Sequence, residues 1–123
     1  MDTNIFMYAV GRPHPLQHEA RALLIDHVED RRPLATSAEV LQELMHAYLP
    51  VRRLRTLDAA LRLATDLATI WPIEGRDVAD ARHLVRRHPG LGARDLLHLA
   101  VCVRRGVVDL LTFDRQLAAA FAG

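Results

Sequence analysis

The chain contains no lysine, and all 16 of its basic residues are arginines. That absence removes the phosphate-cradling loop that ends in Gly-Lys-Ser/Thr, and with it Schiff-base and serine–lysine chemistry. Cysteine occurs once, as Cys102, so no internal disulfide can form. No apolar run approaches the ~18 residues that a membrane span needs. The chain opens Met-Asp-Thr-Asn, without the basic segment of a secretory leader. A cytoplasmic protein with no membrane association is the expectation. The formal net charge of +1 argues against a strongly basic nucleic-acid coat, although arginine is the better bidentate ligand for phosphate where one is bound.

What remains is a chain of 123 residues, half of them hydrophobic, which is enough for one domain (1–123) with a real core. Its most informative stretch runs from Gly90 to Gln116. A glycine loop opens a helix at about Ala93, and Gly106 closes it with a left-handed cap. The apolar run Val107–Phe113 then reads as a buried strand. Each junction carries an aspartate. At 100° per residue, Leu96, Leu99, Ala100 and Val103 form one apolar arc, which Cys102 extends, and Asp95 falls between Leu99 and Cys102. A carboxylate there is costly unless something pairs with it. Contact with the first-turn N–H groups of its own helix is the ordinary explanation. For Asp114 the ordinary explanation is the N-cap of a last helix, Arg115–Phe121.

The other elements fall in order. Met1–Val10 is an apolar run that begins a helix or a loop, with Asp2 at its start. A turn at Gly11, Pro13 and Pro15 leads into a helix to about Asp30, striped by Leu16, Ala20, Leu23, Leu24 and Val28. His14 and His18 lie one turn apart there, which suits a solvated helix start better than a metal site. Leu34-Ala35-Thr36 reads as a short buried strand, with Ser37 as N-cap of a helix to about Leu49. Val40, Leu41, Leu44 and Tyr48 make its apolar face. Gln42 and His46 point away, Glu43 sits on the flank, and Glu39 lies nearer solvent. Val51–Ile70 is a second amphipathic helix with Leu54, Leu57, Leu61, Ala64 and Leu67 on one side. Its arginine-studded surface suits a partner or dimer contact, although a solvated charged face is the commoner explanation. Ile70–Ile73 is a short strand ending at a sheet edge, and Asp77–Arg87 is a charged helix.

Short apolar strands alternating with helices predict an α/β domain with a parallel sheet covered on both sides. On this architecture Asp2 follows the first strand, Glu43 lies in the helix after the second, Asp95 opens a late helix and Asp114 follows the last strand. Sites in such sheets form at the carboxyl ends of the strands. Four carboxylates gathered there would repel one another, so the grouping makes sense around a cation. All-oxygen donors favour Mg²⁺ or Mn²⁺. His98 and Cys102 do lie with Asp95 along one helix face in the manner of a zinc site, but no fourth ligand stands at a familiar spacing.

These motifs, D-T-N at Asp2–Asn4, T-S-A-E-V-L-Q-E-L ending in Glu43, G-A-R-D-L-L-H-L-A around Asp95 and L-L-T-F-D around Asp114, resemble the PIN-domain nucleases. Within them the chain is similar to the VapC-type ribonuclease toxins of toxin–antitoxin pairs. The resemblance implies a three-layer α/β/α PIN-like fold with a short, mostly parallel sheet. It implies Asp2, Glu43, Asp95 and Asp114 as metal-binding catalytic acids, with Thr3, Asn4, Ser37 and Thr112 as polar neighbours that orient them or the attacking water. It also implies a divalent-metal-dependent endoribonuclease acting on RNA, a cognate antitoxin and a homodimer. Arg94 and Arg115 are candidates for flanking phosphates, or solvated helix-end charges. Two departures stand out. Only Met1 precedes Asp2, where relatives have several apolar residues, so either this start lies downstream of the natural one or the first strand is shortened; and Gln116 occupies a position where many relatives carry an acid. A shortened first strand also suits the alternative, a non-catalytic PIN-like module that holds RNA or protein.

Overall fold

The computed structural model describes residues 2–11, 13–31, 34–107 and 110–122, and of Thr3 only the backbone. Seven helices and two strands follow one another along them: α1 (Thr3–Val10), α2 (Gln17–Glu29), β1 (Leu34–Ser37), α3 (Ala38–Tyr48), α4 (Leu54–Leu67), β2 (Ala68–Trp71), α5 (Gly75–Leu84), α6 (Ala93–Arg104) and α7 (Arg115–Ala122). The strands pair in parallel, from Leu34 opposite Ala68 to Ser37 opposite Trp71. A parallel pair needs a crossover, and α3 and α4 supply it. The α/β PIN-like fold expected from the sequence is the fold observed.

Burial follows the helical periodicities. Ile5, Phe6 and Ala9 of α1 pack with Ala20 and Leu24 of α2, Val40, Leu44 and Tyr48 of α3, and Leu57, Ala60 and Ala64 of α4 in one core. A smaller cluster joins Ala81 of α5 to Leu96 and Ala100 of α6. The sequence periodicity overreaches at three places: Val28, Leu54 and Val103 are exposed although each extends an apolar stripe. All three lie at or near the end of a helix, where a stripe runs past the element it packs on. Gln42 and His46 are exposed as expected.

Asp2 is the first described residue, and α1 begins immediately after it, at Thr3. One expectation about strands needs correcting: Val107 and residues 110–113 do not form a strand, while Val108 and Asp109 of that expected strand lie outside the described residues. A strand exists only by pairing, and among the described residues the sheet holds β1 and β2 alone. Among the described residues, a ladder-like bond joins this run to the start of the chain, from the Asp2 N–H to the Leu111 carbonyl at 2.9 Å. The second strand also begins earlier than expected, at Ala68, because α4 ends at Leu67.

The far end of α6 is fastened by an ion pair. Arg104 donates from Nε to Oδ1 of Asp77 at 2.6 Å and from Nη2 to Oδ2 at 3.0 Å. Asp77 is fully buried and also accepts the Glu74 N–H in a reciprocal capping box at the start of α5. These bonds hold its carboxyl below the usual carboxylate range, with the Arg104 hydrogen bond the largest cause. A depressed carboxyl contributes stability that is present at neutral pH and lost as pH falls through its folded pKa. Asp77→Asn should therefore lose about 2 kcal/mol or more at pH 7, and its deficit relative to the parent should shrink in acid. Chemical denaturation at pH 7 and below pH 4 measures both; a deficit that does not change with pH would mean that packing, not the charge, is what Asp77 supplies.

Candidate active site

The D-T-N and T-F-D motifs, more than a hundred residues apart, interlock. The Asp2 carboxylate, itself buried, accepts the Thr112 hydroxyl at 2.7 Å and an Asn4 amide N–H at 3.2 Å through Oδ2. The same Asn4 nitrogen lies 3.1 Å from Thr112 Oγ1, and Asn4 Oδ1 accepts the Phe113 N–H at 3.2 Å. Thr112 Oγ1 in turn accepts the N–H of Asp114 at 3.0 Å. One threonine thus donates to the first acid and accepts from the backbone of the last. Asn4 and Thr112, which the resemblance implies as polar neighbours of the acids, hydrogen-bond to Asp2, whereas the Thr3 side chain lies outside the described residues.

Asp114 caps α7: its Oδ1 accepts the N–H groups of Gln116 at 2.9 Å and Leu117 at 3.2 Å. The capping expected from local sequence is present, and it leaves the residue in range of Asp95. Asp95 stands in the first turn of α6, half-buried. Burial is the largest cause pushing its carboxyl up to about 6, followed by the negative fields of Asp2, Glu43 and Asp114. Acids that lie in four separate parts of the chain therefore act on one another. Among the described residues, no three His, Cys, Asp or Glu side chains stand close enough together to grip one ion. The donor set and its repulsion fit a hard divalent cation; the present spacing is that of carboxylates that share a field without sharing a ligand.

Glu39 is more involved than its expected solvent position allowed. Its side chain is 16% exposed and lies 3.8 Å from the Arg94 guanidinium. Burial raises its carboxyl, Arg94 opposes that rise and Glu43 adds to it. Arg94 is thus placed beside an acid at the edge of the group, while Arg115 is exposed at the start of α7. Ser37 sits at the N-terminus of α3, but its hydroxyl makes no cap bond there. It lies 3.0 Å from His98 Nδ1 instead. Sequence reasoning did not find His98 in this role. The signal available was a polar residue in the middle of an apolar α6 face, one turn beyond Asp95.

The fold and the acid group define a class: the chain belongs to the PIN-domain family, whose model matches residues 1–121. Within that family it is similar to VapC proteins over nearly its whole length. It is 60% identical over 121 residues, 98% of this chain and 96% of the relative, to Ribonuclease VapC23 of Mycobacterium tuberculosis. It is 38% identical over 116 residues to VapC ribonuclease Mb1869c of Mycobacterium bovis, covering 94% and 88% of the two chains. Ribonuclease VapC7 of Mycobacterium tuberculosis is 31% identical over 121 residues, 96% of this chain and 83% of the relative. No solved structure matches the chain.

The raised Asp95 carboxyl sets the sign of a pH effect. A carboxyl raised from 3.8 to about 6 contributes stability below its unfolded pKa and loses it as pH rises through the folded one. Asp95→Asn should then stabilise the metal-free protein near neutral pH by roughly 1 kcal/mol, discounted for the solvent that still reaches the group. If the residue were only a helix-dipole partner, the same change would cost about 0.3–1 kcal/mol. Thermal melts in chelator at pH 4 and pH 7.5 decide by the sign of the difference at the higher pH.

Proposed function

We propose that this chain is a divalent-metal-dependent endoribonuclease, the toxin component of a toxin–antitoxin pair, which hydrolyses RNA phosphodiester bonds. The observation that carries the reading is the half-buried Asp95, whose carboxyl is raised by burial first and then by the charges of Asp2, Glu43 and Asp114. The names of the VapC relatives supply ribonuclease as the activity. Asp2, Glu43, Asp95 and Asp114 would hold Mg²⁺ or Mn²⁺, which when bound supplies a water of lowered pKa and offsets charge on the phosphate oxygens. The protein's own part is positional. Thr112 and Asn4 fix the rotamer of Asp2, and the α7 cap fixes that of Asp114. Arg94, flanked by Glu39 at 3.8 Å, would meet a phosphate beside the scissile one.

A non-catalytic PIN-like module is the second reading, and the looseness of the acid group among the described residues favours it. Cleavage of a mixed RNA pool separates the two. Changing an outer-shell partner of a metal ligand costs about 10–100-fold, so replacing an inner carboxylate, as in Asp95→Asn, should cost a hundredfold or more. Activity should need Mn²⁺ or Mg²⁺ and vanish in chelator. RNA binding without metal-dependent cleavage by the parent would sink the nuclease reading and leave the binding module.

The surface suits a partner, and the resemblance to VapC proteins supplies which one. Met45, Leu49, Val51 and Leu54 are exposed around the turn between α3 and α4, and adjacent arginines stud the same hairpin. We assign this surface to a homodimer and to contact with the cognate antitoxin. Sedimentation velocity of the parent should show a dimer, and Val51→Glu combined with Leu54→Glu should shift it to monomer. A parent that stays monomeric at high concentration would remove the dimer.

A further inference from the structure

Ser37 and His98 are both buried, at 0% and 3% exposure, and neither is a carboxylate of the acid group. A serine at a helix N-terminus ordinarily turns its oxygen to a first-turn N–H, and Ser37 does not. Its Oγ instead reaches across 61 residues of sequence to His98 Nδ1 at 3.0 Å. Burial keeps the imidazole neutral, its pKa pushed down to about 3, so the ring carries one proton. His98 Nε2 lies 3.9 Å from the Cys102 sulfur. With the proton on Nε2, Nδ1 is the acceptor and the Ser37 hydroxyl donates to it.

The two ends of this bond are attached to the acid group. Ser37 closes β1 and opens α3, which carries Glu39 one turn in and Glu43 two turns in. His98 lies on α6 one turn beyond Asp95. Arg94–Glu39, the ion pair between the same two helices, is a looser contact at 3.8 Å. A hydrogen bond forgone at a helix cap and made between two buried groups is a positional device, because the cap would have satisfied the hydroxyl without fixing α6. We propose that His98 is a positioning residue: through Ser37 it fixes the separation of α3 from α6, and so that of Glu43 from Asp95 across which a divalent cation is held. The inference rests on the metal-dependent reading given above.

Stability alone does not test it, because removing one partner of a buried pair destabilises any protein. Replacing both partners with apolar groups of similar shape is nearly neutral, and that separates the two roles. Mn²⁺ binding to Ser37→Ala and to Ser37→Ala/His98→Leu is measured by calorimetry, alongside RNA affinity in chelator. The double variant should recover the melting temperature that the single one loses. Both should nevertheless bind Mn²⁺ about tenfold more weakly than the parent, the lower bound for a supporting partner, with metal-free RNA affinity unchanged. If Ser37→Ala does not fold, the double variant decides. A folded double variant that binds Mn²⁺ as tightly as the parent overturns the positioning role and leaves the nuclease reading standing. A parent that binds no Mn²⁺ overturns both.

Discussion

Mutual repulsion among carboxylates is the constraint around which the rest of this molecule is arranged. Left to themselves, Asp2, Glu43, Asp95 and Asp114 would separate, and each belongs to a different segment, so separation would cost little local structure. Something must hold the segments. For Asp2 it is the apolar anchorage of α1, through Ile5 and Phe6, together with the bonds to Leu111 and Thr112. For Asp95 it is the packing of Leu96 and Ala100 against Ala81, with the buried pair of Arg104 and Asp77 at the other end of the same helix. The apolar contacts oppose the repulsion from below the group. Because they are not directional, the hydrogen bonds set where each carboxylate points.

Features that depend on a few neighbouring residues could be read from the sequence. The Asp114 cap, the left-handed Gly106 with φ 69° and the faces of α3 and α4 are all of this kind. Features that depend on a distant partner could not. The apolar run after Gly106 has the composition of a strand, yet a strand needs a ladder, and the Asp2 segment offers it one bond. Ser37 has the right residue type and position for a cap, but a buried imidazole from α6 competes for its hydroxyl. Glu39 looked solvated because helical periodicity says nothing about Arg94 on another helix. The acids themselves were legible as a set only because four weak motifs occur in order.

The Asp2–Thr112–Asp114 chain shows how side chains can place an acid without strand pairing around it. In a longer sheet, ladder bonds would fix the register of the first and last segments. Here side chains take over part of that role: Asn4 bonds Thr112 and the Phe113 backbone, and Thr112 bonds both Asp2 and the Asp114 backbone. Such bonds are each worth only about 1 kcal/mol net. Their geometry is demanding, though, and several converging on one threonine leave the two acids few alternative arrangements. Thr112 is therefore a residue whose loss would be felt more in placement than in stability.

Helix α6 carries an acid-related load at both ends, and the contrast bears on what the group is for. At its C-terminal end Arg104 complements the helix dipole and neutralises a buried aspartate. At its N-terminal end Asp95 also has the favourable sign for the dipole, a contribution of about 0.3–1 kcal/mol. The rise of its carboxyl from 3.8 to about 6 corresponds to roughly 1 kcal/mol in the other direction after screening. The dipole is thus at most a comparable effect and cannot by itself justify the charge. An arginine like Arg104 would settle it, yet the nearby Arg94 is set against Glu39. The fold thus pairs Asp77 of α5 completely through Arg104, while at the other end of α6 it leaves Asp95 in a field of like charges.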